Sequence, residues 1–122
     1  MSKYSDIAVH AVKSIQQGVT ECPISAWTDA ALLFYPTSKS SREKSCPKSA
    51  FLGLCEQGRI KWIKSGSYTK SKCNKRYALE ALELLDSNPN FTAKELWERI
   101  SSTRYNHQMH VVLALYKAGW IR

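Results

Sequence analysis

No stretch of this sequence strings together the roughly 18 apolar residues that a membrane-crossing helix needs, so no membrane partner is expected. No Cys-x-x-Cys pair occurs: Cys22, Cys46, Cys55 and Cys73 are spaced too unevenly for a zinc finger. An export signal is also missing. The start, "MSKYSDIAVHAVKSI", places Asp6, His10 and Lys13 among its apolar residues and reads as an amphipathic helix. The thiols are therefore expected to stay reduced in a cytoplasmic protein. His107 and His110 form an H-x-x-H, but no cysteine or carboxylate stands beside them in sequence. Neither a metal nor a cofactor is assigned, and no catalytic residue.

Aromatics are plentiful. The 122 residues are 43 % hydrophobic, with four Trp and six Tyr, enough to build a core for a single domain spanning 1–122. Acidic residues are scarce in one place. From Thr37 to Arg76 there are eleven Lys or Arg, opposed only by Glu43 and Glu56, while the rest of the chain is close to neutral. The whole net charge of +8 is thus central. A concentrated excess points to nucleic acid or another polyanion as partner; the plain alternative is a lysine-rich solvated loop.

Apolar periodicity predicts a mainly α fold. Helices are expected over Asp6 to Gln17, from Pro23 to before Pro36, from "SCPK" to Gly58, over Lys75 to Asp86 with Asn74 as cap, over "AKELWERI" and over His107 to Ala118. Thr92 and Glu95 match a capping box. "TSKSSREKS" reads as a loop. "RIKWIKSGSYTKS" alternates apolar and basic residues around "KSG" and predicts a short β-hairpin after the third helix.

The halves 6–63 and 75–122 read as an internal repeat of two similar three-helix units packed as one domain. A shift of 70 places Ala8 on Ala78, Ala11 on Ala81, Val12 on Leu82, Ile15 on Leu85 and Trp27 on Trp97. A shift of 61 places Leu52 on Leu113, Leu54 on Leu115, Gly58 on Gly119 and Ile60 on Ile121. A leucine-rich helix followed by Gly, Ile and a hairpin resembles the end of a winged-helix domain, and the second half resembles a helix-turn-helix. This likeness implies that the third helix and the wing contact nucleic acid. The stretches "SCPKSAFLGLCEQG", "NKRYALEALELL" and "HQMHVVLALYKAG" resemble a group of short bacterial proteins of unknown function, which implies no activity.

Three places stand out as candidate sites. The first is a basic surface of Arg42, Lys44, Lys48, Arg59, Lys61, Lys64, Lys70, Lys72, Lys75 and Arg76, with Trp62 or Tyr68 available to stack on bases. The second is Cys46, a candidate reactive thiol at a helix start among cations. The third is the start of the helix at "SKCNKRY", where backbone N–H groups can hold an anion. Asn106, His107 and Gln108 make a polar start to the last helix. The leading expectation is a non-enzymatic nucleic-acid-binding module. The alternatives are a scaffold domain meeting an acidic protein, and a small redox or thiol enzyme using Cys46.

Overall fold

The computed structural model describes residues 2–122, and helices dominate it: α1 (Lys3–Gln16), α2 (Pro23–Phe34), α3 (Lys39–Arg42), α4 (Ser45–Glu56), α5 (Lys72–Ser87), α6 (Ala93–Ile100) and α7 (Gln108–Lys117). Local chemistry sets most of the ends. α1 buries Ile7, Ala8, Ala11, Val12 and Ile15 on one stripe and exposes Asp6 and Lys13. Pro23 opens α2, where its missing N–H costs nothing. Thr92 and Glu95 close the expected capping box on α6. α4 and α7 end alike. The N–H of Gly58 donates to Cys55 and that of Arg59 to Leu54; the N–H of Gly119 donates to Tyr116 and that of Trp120 to Leu115. Both glycines sit at positive φ, 72° and 80°, as this paired closure of the last carbonyls requires.

α4 and α7 form the centre. Ala50 to Cys55 and Val111 to Leu115 are buried without interruption. Such helices are apolar all round because neighbours surround them: α4 packs on α2, α5 and α7, and α7 packs on α1, α4, α5 and α6. Fully burying a large aliphatic or aromatic side chain here contributes about 1.5–3 kcal/mol. Trp27, Phe51 and Leu54 are among those buried completely or nearly so. α5 lies tightly on α4. A Cβ added to Gly53 would stand 2.7 Å from the Lys75 backbone Cα, so only glycine permits this approach.

The expected β-hairpin is absent. Among the described residues the β-type pairing is one isolated antiparallel bridge, Ile60 with Ile121, carried by Lys61 N–H to Trp120 (2.9 Å) and Arg122 N–H to Arg59 (2.8 Å). Ile60 and Ile63 are both buried, and Ile63 N–H returns to Ile60 at 3.3 Å. Lys61 and Trp62 therefore form a tight turn, where alternation had suggested a strand. Glu56 then anchors the segment beyond this turn. Its carboxylate accepts the Tyr68 and Thr69 N–H groups at 2.7 and 3.2 Å, and its carbonyl accepts that of Gly66. With Tyr68 and Thr69 bonded to Glu56, the segment runs as a loop docked on the end of α4.

Two local expectations also change. "TSKSSREKS" contains the single turn α3, capped by Ser38 and tied to α1 by the Tyr4 hydroxyl donating to the Ser41 carbonyl. Ser71, not Asn74, caps α5, because the helix starts three residues earlier than its apolar pattern.

Candidate functional site

The ten basic candidates divide by what they touch. Arg42 donates to the Tyr35 and Pro36 carbonyls, closing α2. Arg59 donates from Nε to the Arg122 carbonyl at 2.6 Å, fastening the chain end. Lys75 pairs with Glu56 at 2.8 Å. Arg76 faces Glu80 at 3.8 Å and lies over the Tyr77 ring. These four have structural work. Lys48 is half-buried in the first turn of α4. Lys61, Lys64, Lys70 and Lys72 are exposed, and no ion pair engages them among the described residues. All four belong to the stretch between Gly58 and the first residue of α5.

Trp62 stands in that stretch, 48 % exposed and set edge-on to Trp120 at 5.8 Å. Its φ is 69°, a conformation that bulky residues rarely adopt. Trp62, Lys64 and Tyr68 line one groove of about 390 Å3, in which Glu21 is the acidic member. The Tyr68 hydroxyl is held on the Lys64 carbonyl at 2.7 Å. Glu56 fixes this surface from below, and the Lys75 ammonium, helped by the Tyr68 and Thr69 N–H groups, holds its carboxyl down to about 2.

The groove-entering role that winged-helix likeness implied for the third helix is closed off. α4 is buried from Ser49 to Cys55 and α7 from Val111 to Leu115, so neither offers a face to a DNA groove. The wing is missing as well.

Cys46 lies at the other end of α4, half-buried. It lines a cleft of about 410 Å3 with Lys44, Arg104, Tyr105, Asn106 and His107. The start of α7 shapes one wall. His107 precedes that helix at φ 66° and makes no capping bond. Tyr105 supplies the missing acceptor. Its hydroxyl accepts the His110 N–H at 2.9 Å and meets His110 Nδ1. Burial pushes the Tyr105 phenol up to about 12. Burial and then neighbouring His107 push His110 down, so both groups stay neutral near pH 7. Burial, then the Lys44 charge, lowers His107. Its ring packs 4.9 Å from Tyr4, and its buried Nδ1 has no hydrogen-bond partner. Gln108 accepts the Asn106 N–H at 2.8 Å and donates to Asn74 at 3.2 Å, joining the starts of α7 and α5.

The other cysteines stand apart. Cys55 is core, and burial drives its thiol up. Cys22 is exposed, with its thiol lowered by hydrogen bonds from Ser25. Cys73 is exposed in the first turn of α5. Sequence reasoning singled out Cys46, Lys44 and, as a polar helix start, Asn106 and His107, but it did not bring them together and it missed Arg104. One signal was present: the shift of 61 that pairs Ile60 with Ile121 also pairs Cys46 with His107.

No helix among the described residues is long and apolar enough to cross a membrane. No curated protein and no solved structure matches the chain. Residues 1–122 match the family described as a family of unknown function (DUF6979), and the chain belongs to that family, in keeping with the resemblance read from its sequence.

Proposed function

We propose that this protein binds single-stranded nucleic acid through the connection between α4 and α5. The observation that carries this reading is Trp62. A large aromatic occupies the third position of a tight turn at φ 69°, where glycine or asparagine would be relaxed; it is exposed, Lys64 lines the same groove, and Lys61, Lys70 and Lys72 are exposed along the same stretch of chain. Strain of this kind costs about 1–3 kcal/mol and gathers at functional sites. An exposed ring with Lys64 on the wall of its groove, in a stretch that also carries Lys61, Lys70 and Lys72, suits a base stacked on the ring with its phosphates on the lysines. Single strands fit better than duplex, because both central helices are buried.

The test is titration of a labelled single-stranded oligonucleotide at two salt concentrations. Four phosphate contacts predict a slope of about −3 in log affinity against log salt, close to a fiftyfold loss between about 50 and 200 mM. Trp62 emission should fall on binding. No binding at the lower salt, or equal affinity at both, overturns the proposal. A protein partner is the second reading, favoured by the exposure of Ile24, Leu32 and Leu33 on α2. Polyglutamate that displaces the oligonucleotide more effectively than unlabelled oligonucleotide does would identify an acidic protein instead.

A further inference from the structure

The cleft at the starts of α4 and α7 lies outside that reading. It sits at the far end of α4 from Trp62, about 18 Å away by the rise of a helix of 12 residues. We propose that it is a binding site for a small ligand bearing a phosphate group.

Lys44, Arg104, Asn106 and His107 line the cleft with hydrogen-bond donors, and no acidic residue is among its walls. Neither Lys44 nor Arg104 belongs to an ion pair among the described residues. Two cations and an imidazole thus share one concavity without a counter-charge, and the Lys44 charge already acts against protonation of His107. An anion seated between them replaces this repulsion with charge-assisted hydrogen bonds, for which the guanidinium fork of Arg104 is well shaped. The cleft also lies where two helices begin, and the positive ends of their dipoles favour negative charge.

Volume sets the kind of ligand. About 410 Å3 exceeds the need of a bare phosphate and falls within the range of small-molecule sites. The Tyr105 ring and the Cys46 thiol provide wall for the attached group. The neighbouring cleft across Tyr105 is larger, about 520 Å3, but Lys94 there is balanced by Glu98. An anion has no reason to prefer it. His107 supplies an observation of a different kind. It combines a positive φ with a buried nitrogen lacking any partner, two costs against which the fold sets the ring contact with Tyr4.

The experiment is a titration of the full chain with inorganic phosphate, followed by backbone amide NMR, against sodium chloride of equal ionic strength. Saturable shifts at Cys46, Asn106 and His107, with Trp62, Lys64 and Tyr68 unmoved, are expected. Arg104→Ala, at an exposed position, should weaken the response about tenfold, the effect of losing one good charge-assisted contact. Labelling of Cys46 by iodoacetamide should slow with phosphate, while Cys22 and Cys73 keep their rates as internal controls. Shifts equal in phosphate and chloride, shifts confined to the Trp62 loop, or a response untouched by Arg104→Ala each overturn the site. Acetate acting as strongly as phosphate overturns the ligand class.

Discussion

α4 and α7 run side by side, and their two ends are finished in opposite ways. At the C-terminal ends the chain closes on itself: Ile60 meets Ile121, two backbone bonds join them, and Arg59 fastens Arg122. At the N-terminal ends nothing comparable joins Cys46 to His107; a polar cleft separates them, and His107 keeps an unpartnered buried nitrogen. Each end carries one non-glycine residue at positive φ, Trp62 at one and His107 at the other. At the closed end two backbone bonds tie the chain together, and the strained residue leaves its ring half exposed against Trp120. At the open end the strained residue faces a cavity. On the two proposals above, the closed end is the surface for an extended strand and the open end the hollow for a small anion.

The most disruptive way to break this contrast is Gly53→Ala. Gly53 lies within α4, between the two ends, and a Cβ there would meet the Lys75 backbone at 2.7 Å. Backbone cannot rotate aside as a side chain can, so α5 must shift. The expected loss is about 1–3 kcal/mol in urea unfolding. Amide signals should move at both ends together, through Lys75 and Glu56 on one side and through Asn74 and Gln108 on the other.

Glu56→Gln should act at the closed end alone. The native carboxylate serves Lys75, Tyr68 and Thr69. Gln keeps an acceptor but loses the charge, and partial exposure screens what is lost, leaving about 1 kcal/mol. The pH profile is more telling. The folded carboxyl is held at about 2, below the ordinary value of about 4.3. Its contribution is full above that ordinary value and is lost as the pH falls from there towards 2. Acid unfolding of the Gln variant should therefore be shallower over this range, with the Cys46 cleft signals unchanged.

This carboxylate also explains how far the sequence could be read. Local signals placed the helices well: the Thr92 and Glu95 box, Pro23 at its helix start, and the glycines at 58 and 119 all do what short-range chemistry predicts. The wing failed because its fate depends on Glu56, 12 residues before Tyr68, and on Ile63 turning inward beside an exposed Trp62. Alternation of Ile60, Lys61 and Trp62 cannot reveal that a turn lies between two buried isoleucines. The basic cluster was legible as charge but not as structure, since Arg42 and Arg59 are spent on carbonyls that only the fold brings near. The cleft was harder still. Arg104 sits in the linker before α7 with no local pattern around it, and Cys46 and His107 come together only because α4 and α7 pack side by side.

The smallest expected effect on stability, and the finest test of the contrast, comes from relaxing each strained residue in turn. Trp62→Gly removes the steric cost of φ 69° and also the edge-on contact with Trp120. Each is worth about 1 kcal/mol and they oppose each other, so the urea midpoint should hold to within about 1 kcal/mol. His107→Asn places at φ 66° a residue that visits this region readily, against loss of the ring contact with Tyr4, with a similarly small net change. If both residues are kept for ligands, the functional losses should separate cleanly. Trp62→Gly should weaken the oligonucleotide about tenfold, the worth of one stacked base, and leave the phosphate response at Asn106 intact. His107→Asn should do the reverse. A large fall in stability for Trp62→Gly alone would mean that its ring is held for packing against Trp120, and the closed end would then be structure without a binding role.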